Sequence, residues 1–292
     1  MSAPIRPRRS ALFMPGSNAR ALEKARGLPA DVVILDLEDA VAPDAKEAAR
    51  AQVVAALGRG GYGHREAVVR VNGLGTPWGH ADLAAAATAG ADAVLIPKVE
   101  GADTVRQSLA VLDAAGAPAG LPLWCMMETP RGMLRAEEVA SGSPRVACLV
   151  MGTSDLAKEL SAAHTPLRLP LLTALGLCLL AAKANGLAIL DGVHLDLRDD
   201  DGFRRACVQG RELGFDGKTL IHPRQIGPAN EAFAPGEAEV AHAREIIEAH
   251  AAAVREGGGV VVVDGRLVEN LHVAEARRRV ALAEAIAARA AG

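Results

Sequence analysis

The feature that most constrains the fold is the alternation of eight short apolar runs with alanine-rich, helix-forming stretches. Buried parallel strands are nearly continuous in apolar residues, and each needs a crossover before the next strand. The candidate strands are residues 11–14, 32–37, 68–71, 93–97, 123–127, 147–151, 188–191 and 218–222. The candidate helices between them are residues 19–26, 45–57, 78–89, 102–114, 131–141, 169–185 and 200–213. The alternation predicts an α/β fold, a closed (β/α)8 TIM barrel.

A doubly wound open sheet is the competing interpretation, but the turn after the first strand, MPGSNAR, lacks the G-x-G-x-x-G pattern. We therefore expect a barrel domain over residues 9–235. Residues 236–292 fall outside the eightfold count and contain a long helix, a glycine hinge at 257–259, the strand VVVVDG and a charged last helix. They predict a C-terminal helical extension that covers the barrel mouth or contributes to a neighbouring subunit's site.

Composition excludes several classes of partner. A net charge of −3 and an aromatic content of 2% give no basis for binding nucleic acid. The most apolar segment, residues 171–182, is too short to span a bilayer and predicts a buried helix. The first residues lack the apolar region of a signal peptide, and the four isolated cysteines are typical of buried thiols. We expect a cytoplasmic protein that contacts no membrane.

Charged residues stand at the ends of three predicted strands: Arg70, Glu128 and Asp155. Parallel strands end at the same rim of a barrel, so these side chains are expected to form one site. Glu128 and Asp155 would follow neighbouring strands, and two carboxylates without a cysteine or histidine cluster favour Mg²⁺. The alternatives are that Asp155 caps the next helix and that Glu128 pairs with Arg131.

Arg70 is a candidate for binding the carboxylate of a 2-oxo or 3-hydroxy acid, because a guanidinium binds a carboxylate through two hydrogen bonds. A buried ion pair with Asp36, Glu38 or Asp39 is the alternative, and the two roles are compatible. Glu38 and Asp39 would hold either Arg70 or water around the metal.

Two further segments give weaker signals. The sequence PGSNARALEK places backbone amides at a helix start beside Arg20 and Lys24, an arrangement that could bind phosphates but is also common on solvated helices. His222, after the last strand, is either a hydrogen-bonded rim residue or a catalytic one.

Seven motifs in sequence order carry a resemblance to a known family: RSALFMPGS, DLEDAVAPDAK, VRVNG, IPKVE, ETPRG, MGTSDL and GFDGKTLIHPRQ. Together they resemble the citrate lyase β-subunit family, which includes malyl-CoA and citramalyl-CoA lyases, from about residue 9 to residue 285. The resemblance implies a (β/α)8 barrel, a magnesium ion, a homotrimer or hexamer, and cleavage or formation of a C–C bond β to a thioester.

The resemblance also implies roles for individual residues. It assigns the metal to Glu128 and Asp155 and the substrate carboxylate to Arg70, and Asp39 is a further catalytic candidate beside this arginine. The implied coenzyme A contacts are Phe13, Asn18, Lys24, Ser154, Ile221 and His222. Asn18 stands where malyl-CoA lyases often have arginine, which weakens one phosphate contact and leaves Arg20 to replace it.

A second departure lies in the C-terminal segment. Relatives carry a catalytic aspartate in a D-G-x-x-[IV]-D-like sequence that reaches the next subunit's active site, whereas this chain has VDGRLVENL. Glu269 takes the place of the aspartate and is one methylene longer, so its reach and acidity are expected to differ.

The resulting hypothesis is a Mg²⁺-dependent acyl-CoA lyase that acts on a 3-hydroxy-3-carboxy acyl-CoA such as malyl-CoA or citramalyl-CoA. Its small-molecule partners would be the CoA thioester and a 2-oxo acid. The alternatives are a malyl-CoA thioesterase on the same scaffold, a citryl-carrier lyase subunit and a non-catalytic binding protein.

Overall fold

The computed structural model describes residues 5–255 and 260–290, which form two compact units. The first is Arg8–Phe233. The second comprises residues 5–7 and the described residues from 234 onward. The glycine hinge predicted at 257–259 lies outside the described residues. None of the described helices is long and apolar enough to cross a membrane.

The first unit is a closed barrel of eight parallel strands in sequential order, with β1 paired to both β2 and β8. The strands are β1 (Ser10–Pro15), β2 (Val32–Asp36), β3 (Glu66–Arg70), β4 (Ala93–Ile96), β5 (Leu123–Met127), β6 (Val146–Met151), β7 (Ala188–Asp191) and β8 (Gly217–Leu220). All eight predicted strands are present, so the TIM barrel prediction is confirmed and the open sheet is wrong.

Helices surround the barrel and also build the second unit. Those of the barrel unit are α1 (Ala19–Ala25), α2 (Lys46–Arg59), α3 (Gly79–Ala87), α4 (Ala102–Ala114), α5 (Pro130–Leu134), α6 (Ala136–Ala140), α7 (Thr153–Glu159), α8 (Leu172–Ala184), α9 (Asp200–Leu213) and α10 (Ile226–Phe233). The second unit contains α11 (Glu237–Arg255), the hairpin β9 (Val261–Val263) and β10 (Arg266–Val268), and α12 (Asn270–Ala290).

Three sequence predictions about helices need correction. The single helix predicted over 131–141 is broken at Arg135 into α5 and α6, and the helices α7 and α10 were not predicted. The apolar helix α8 is not buried on all sides, because Leu177 and Leu180 on its outer face are exposed. An apolar run predicts a helix here but does not show how much of its surface is covered.

Apolar side chains fill two separate layers. One layer contains only strand residues, including Val32, Ile34, Val68, Leu95 and Trp124, and it fills the barrel interior. The other joins the outward-facing strand residues to the helices. Because strand side chains alternate between faces, the strands β1 to β7 supply both layers, which explains their nearly continuous apolar runs, whereas β8 contributes only Leu220, to the outer layer.

All four cysteines are buried, as the sequence predicts. Burial raises the pKa of every one of these thiols, to about 12 for Cys178 and about 11 for Cys207. They are therefore protonated, unreactive core residues at neutral pH.

Trp124 is the largest fully buried side chain, and the Arg8 guanidinium lies 4.8 Å from its ring centroid. We expect Trp124→Ala to lower the free energy of unfolding by about 3–5 kcal/mol, because the barrel interior cannot collapse around the cavity. Leu134→Ala is the control, since Leu134 is 82% exposed and its truncation should change stability by less than about 0.5 kcal/mol. If chemical denaturation showed equal losses of unfolding free energy in the two variants, the role of Trp124 in filling the core would be contradicted.

Candidate active site

Three charged side chains continue the inward-facing positions of their strands at the barrel's C-terminal rim. Asp36 follows Ile34 by two positions on β2, and Arg70 follows Val68 in the same way on β3. Glu128, one residue beyond β5, follows Met126. Period-two alternation therefore places a guanidinium and two carboxylates directly above the apolar barrel interior.

Arg70 is held by a bidentate ion pair. Its Nε and Nη2 each donate to a different oxygen of Asp36 at 2.7 Å. Nη1 lies 3.0 Å from Glu38 Oε2 and 3.3 Å from Asp39 Oδ2, and the Phe13 ring centroid lies 4.6 Å from the guanidinium carbon. Burial alone would lower the pKa of Arg70, but Asp36, Glu38 and Asp39 outweigh it and raise that pKa.

The segment after β2 is fixed by hydrogen bonds to side chains. Asp36 also accepts from the backbone N–H groups of Glu38 and Ala40. The carbonyl of Leu37 accepts from Lys46 Nζ and from Asn72 Nδ2, both at 2.8 Å. This loop therefore presents the Glu38 carboxylate from a rigid backbone.

Glu128 is almost completely buried, with 1% of its surface exposed. Its Oε1 accepts from the backbone N–H of Lys98 at 2.8 Å. Its side chain packs so closely on Gly152 that a Cβ there would clash with it. Burial, with a smaller effect of Glu38, raises the pKa of Glu128 to about 8. The predicted alternative, pairing with Arg131, is wrong, because Arg131 lies 3.7 Å from Glu100 instead.

The sequence predicted that Asp155 ends its strand, and this prediction is wrong. The strand β6 ends at Met151, and Asp155 lies in the first turn of α7, which begins at Thr153. Nor is it the N-cap, since Gly152 occupies that position without a side-chain hydrogen bond.

Lys98 links the acids, and it was not predicted as a site residue from the sequence. Its backbone binds Glu128, while its Nζ lies 3.3 Å from Glu38 Oε1 and 3.7 Å from Asp155 Oδ2. Burial lowers the pKa of Lys98, but Glu38, Glu128 and Asp155 outweigh that effect and raise it. The motif IPKVE could have indicated Lys98, because this lysine follows the predicted strand 93–97, which ends at the same rim as the predicted acids Glu128 and Asp155.

The donor set fits a hard divalent cation. Glu38, Glu128 and Asp155 offer carboxylate oxygens alone, and Glu38 Oε2 is buried without a hydrogen bond, although Arg70 is 3.0 Å away. An ammonium group already lies between Glu38 and Asp155, which shows that positive charge is favourable there. Mg²⁺ takes such oxygen ligands and fills the rest of its octahedron with water or substrate.

The remaining predicted site residues lie on several different elements. Phe13 packs against Arg70 at the barrel interior. Asn18 is the N-cap of α1, where it accepts from the N–H of Ala21, and Lys24 is exposed on the same helix. Asp39 is exposed beside Arg70. Arg70, Asp39, Glu38, Glu128 and Asp155 thus meet through direct contacts or through Lys98.

Ser154 precedes Asp155, and its buried hydroxyl has no hydrogen-bond partner. Ile221 and His222 lie beyond β8, which ends earlier than predicted, and His222 Nδ1 accepts from the N–H of Arg224 in a short 3-10 turn. Glu269 belongs to the C-terminal unit. It ends the β9–β10 hairpin segment directly before α12, and its N–H donates to His272 Nδ1.

Comparison with known proteins agrees with this architecture. Residues 9–223 match the model of the HpcH/HpaI aldolase/citrate lyase family. The chain is 54% identical over 288 residues to a (3S)-malyl-CoA thioesterase of Cereibacter sphaeroides, covering 99% of both chains. It is 39% identical to the citrate lyase subunit beta of Escherichia coli over 96% of this chain and 94% of that protein.

A solved structure shows the same fold. The protein CitE from Mycobacterium tuberculosis, in complex with magnesium, acetoacetate and coenzyme A, is 31% identical and superposes with a TM-score of 0.74. The match covers 94% of this chain and 97% of the other. With these relatives and the family model spanning its whole barrel, the chain belongs to the HpcH/HpaI aldolase/citrate lyase family.

Proposed function

We propose that this protein is a Mg²⁺-dependent thioesterase that hydrolyses malyl-CoA or a closely related 3-hydroxy-3-carboxy acyl-CoA. The observation that carries the proposal is the cluster of the buried Arg70, Glu38 and Glu128 with the partly exposed Asp155 above the barrel interior, which suits a cation and a carboxylate together. The choice of hydrolysis rests on the 54% identity to (3S)-malyl-CoA thioesterases over 99% of both chains. This identity favours hydrolysis, whereas the sequence alone favoured C–C cleavage.

Arg70 would bind the acyl carboxylate. Two of its three nitrogens are held firmly by Asp36, whereas Nη1 makes the longer contacts to Glu38 and Asp39. Asp39 is exposed and can move aside, so a substrate carboxylate can take its place on Nη1. The Asp36 pair keeps the guanidinium plane fixed while this exchange occurs.

Glu38, Glu128 and Asp155 would hold the magnesium ion, with Glu128 and Asp155 as its direct ligands. The bound ion supplies Lewis acidity toward substrate oxygen. In hydrolysis, water adds to the thioester carbonyl, the C–S bond breaks, and a proton reaches the departing sulfur, giving the free dicarboxylic acid and CoA. The chain's task is to orient the acyl group, remove a proton from the water and exclude other nucleophiles.

C–C cleavage is the second candidate, because citrate lyase β subunits are 36–39% identical to this chain over most of its length. Cleavage would remove the hydroxyl proton, break the bond to the 2-oxo acid and leave an acyl-CoA enolate that needs a proton. The same arginine and carboxylates would serve, so the two reactions would differ in the bond that breaks, in the water that hydrolysis consumes and in the proton transfers.

Product analysis with malyl-CoA tests the proposal. We expect malate and free CoA thiol in equal amounts, no glyoxylate or acetyl-CoA, and loss of turnover after chelation of the metal. A glyoxylate yield equal to substrate consumed would establish the lyase instead. Turnover of neither kind, across malyl, citramalyl and citryl thioesters with Mg²⁺ supplied, would contradict both.

We further propose a homotrimer or hexamer in which Glu269 of one subunit serves the site of the next as the acid or base. Glu269 lies directly before α12, a position that presents its carboxylate at a helix start. Phe13, Asn18, Lys24, Ser154, Ile221 and His222 would contact the CoA portion, as the family resemblance implies. The unpartnered Ser154 hydroxyl supports that role.

Mixing two inactive variants tests the shared site. Glu269→Ala and Arg70→Ala subunits should each be nearly inactive, and hybrids should regain activity because some sites then receive Arg70 from one chain and Glu269 from another. The control is each variant subjected alone to the same dissociation and reassembly. A Glu269→Gln enzyme as active as the parent, together with no rescue in the hybrids, would make Glu269 a surface residue.

Metal binding should release protons, because Glu128 with a pKa of about 8 is mostly protonated at pH 7 while a ligand must be ionised. Because more Glu128 is ionised at higher pH, the affinity for Mg²⁺ should rise about tenfold per pH unit below pH 8 and level off above it. Calorimetry at pH 7 in buffers of different ionisation enthalpy should give close to one proton released per ion, and none at pH 9. Absence of release at pH 7 would contradict the role of Glu128.

A further inference from the structure

We infer that Lys98 is a built-in counter-ion of the metal-free site, whose ammonium holds Glu38 and Asp155 in place and competes with the divalent cation for them. The inference rests on the proposed magnesium site and assigns Lys98 as a positioning residue. Its consequence is that the protein keeps its acids arranged without metal, at the cost of a weaker affinity for it.

The geometry places Lys98 in contact with every proposed acid ligand. Its N–H donates to Glu128 Oε1 at 2.8 Å, and its Nζ lies 3.3 Å from Glu38 Oε1 and 3.7 Å from Asp155 Oδ2. These acids come from three different segments: the loop after β2, the residue after β5, and α7. One residue therefore joins three otherwise separate parts of the rim.

Charge balance gives the reason that the site needs this contact. Asp36 is neutralised by its bidentate pair with Arg70, whose remaining nitrogen is shared between Glu38 and Asp39. Glu128 and Asp155 have no arginine of their own in these contacts. Burial and the charge of Glu38 both raise the pKa of Glu128, and Lys98 supplies positive charge 3.3 Å from Glu38 and 3.7 Å from Asp155.

The same charge becomes unfavourable once Mg²⁺ is present. An ammonium and a divalent ion that seek the same carboxylate oxygens repel each other, and the Lys98 side chain is 49% exposed, so it can move into solvent. The energy of its contacts with Glu38 and Asp155 is lost on metal binding. Lys98 therefore stabilises the metal-free protein more than the metal-bound protein.

The backbone conformation of Lys98 supports a role for its side chain. Its φ of +50° lies in the left-handed region, which glycine adopts easily and other residues adopt only at an energetic cost. The position keeps a long cationic side chain despite that cost. Methionine has the same cost and a similar length, so Lys98→Met removes the charge and leaves both the backbone strain and the N–H bond to Glu128.

The experiment measures Mg²⁺ affinity by calorimetry at one pH and thermal unfolding with and without Mg²⁺. We expect Lys98→Met to bind Mg²⁺ about tenfold more tightly than the parent. We also expect its metal-free form to unfold at a lower temperature, with the difference shrinking in saturating Mg²⁺. Lys98→Arg, which keeps the charge, should stay close to the parent in both measurements.

Lys183→Met is the matched control, because Lys183 also forms an ion pair, 3.0 Å from Asp216, but does so between α8 and the loop before β8. It should leave Mg²⁺ affinity unchanged and shift unfolding equally with and without metal. Glu128→Gln provides the background, since His242, Glu245 and Asp264 in the C-terminal unit place potential ligand atoms within 4.8 Å of one another. Any binding that survives in Glu128→Gln is subtracted.

Equal or weaker Mg²⁺ affinity in Lys98→Met overturns the inference, while the proposed site survives as long as the parent binds one ion that Glu128→Gln loses. If the parent itself shows no such ion, the proposed metal site fails. Lys98→Gln serves as a second variant. A variant that folds only with Mg²⁺ is the extreme form of the expected result, whereas one that folds in neither condition makes Lys98 a general structural residue and overturns the inference.

Discussion

The bidentate ion pair between Arg70 and Asp36 is the contact on which the rest of the site depends. A guanidinium buried above an apolar barrel interior would be very costly without a partner, and Asp36 supplies two hydrogen bonds at 2.7 Å. The same carboxylate accepts from two backbone N–H groups of the loop after β2. One aspartate thereby fixes the arginine and the loop that presents Glu38, so the proposed binding of a substrate carboxylate and the proposed binding of a metal ion would depend on the same ion pair.

Acids outnumber cations at this rim, and that imbalance connects structure to chemistry. Glu38, Glu128 and Asp155 are supplied by three segments, and Lys98 is the cation that joins them. The pKa of Glu128 is raised, and one carboxylate oxygen of Glu38 has no hydrogen-bond partner. A divalent ion would favour the ionised form of Glu128 and would give that Glu38 oxygen a partner. Three acids around one lysine, one of them with a raised pKa, are typical of a site that binds a charged ligand.

The barrel was predictable from sequence because both faces of each strand are buried, so the strands differ in composition from everything around them. Arg70 and Glu128 were predictable for the same reason, since a charge ending an apolar run faces the mouth. Asp155 was placed wrongly by four residues, because the turn GTS starts α7 before the acid is reached. Lys98 was missed because its role depends on a left-handed backbone and on partners distant in sequence, which no local pattern encodes.

Hydrolysis and C–C cleavage place the same demand on this part of the site: both need the carboxylate and hydroxyl end of the acyl group held still. In the proposed function, Arg70 and the three acids would bind that end in either reaction, whichever bond breaks. The outcome must then depend on the group that moves the proton, to an enolate carbon in one case and from a water molecule in the other. If Glu269 serves the reaction in place of the aspartate that the resemblance implies, its extra methylene would let its carboxylate meet a different atom. The choice of reaction would therefore lie in the C-terminal segment and the binding of the acyl group in the barrel.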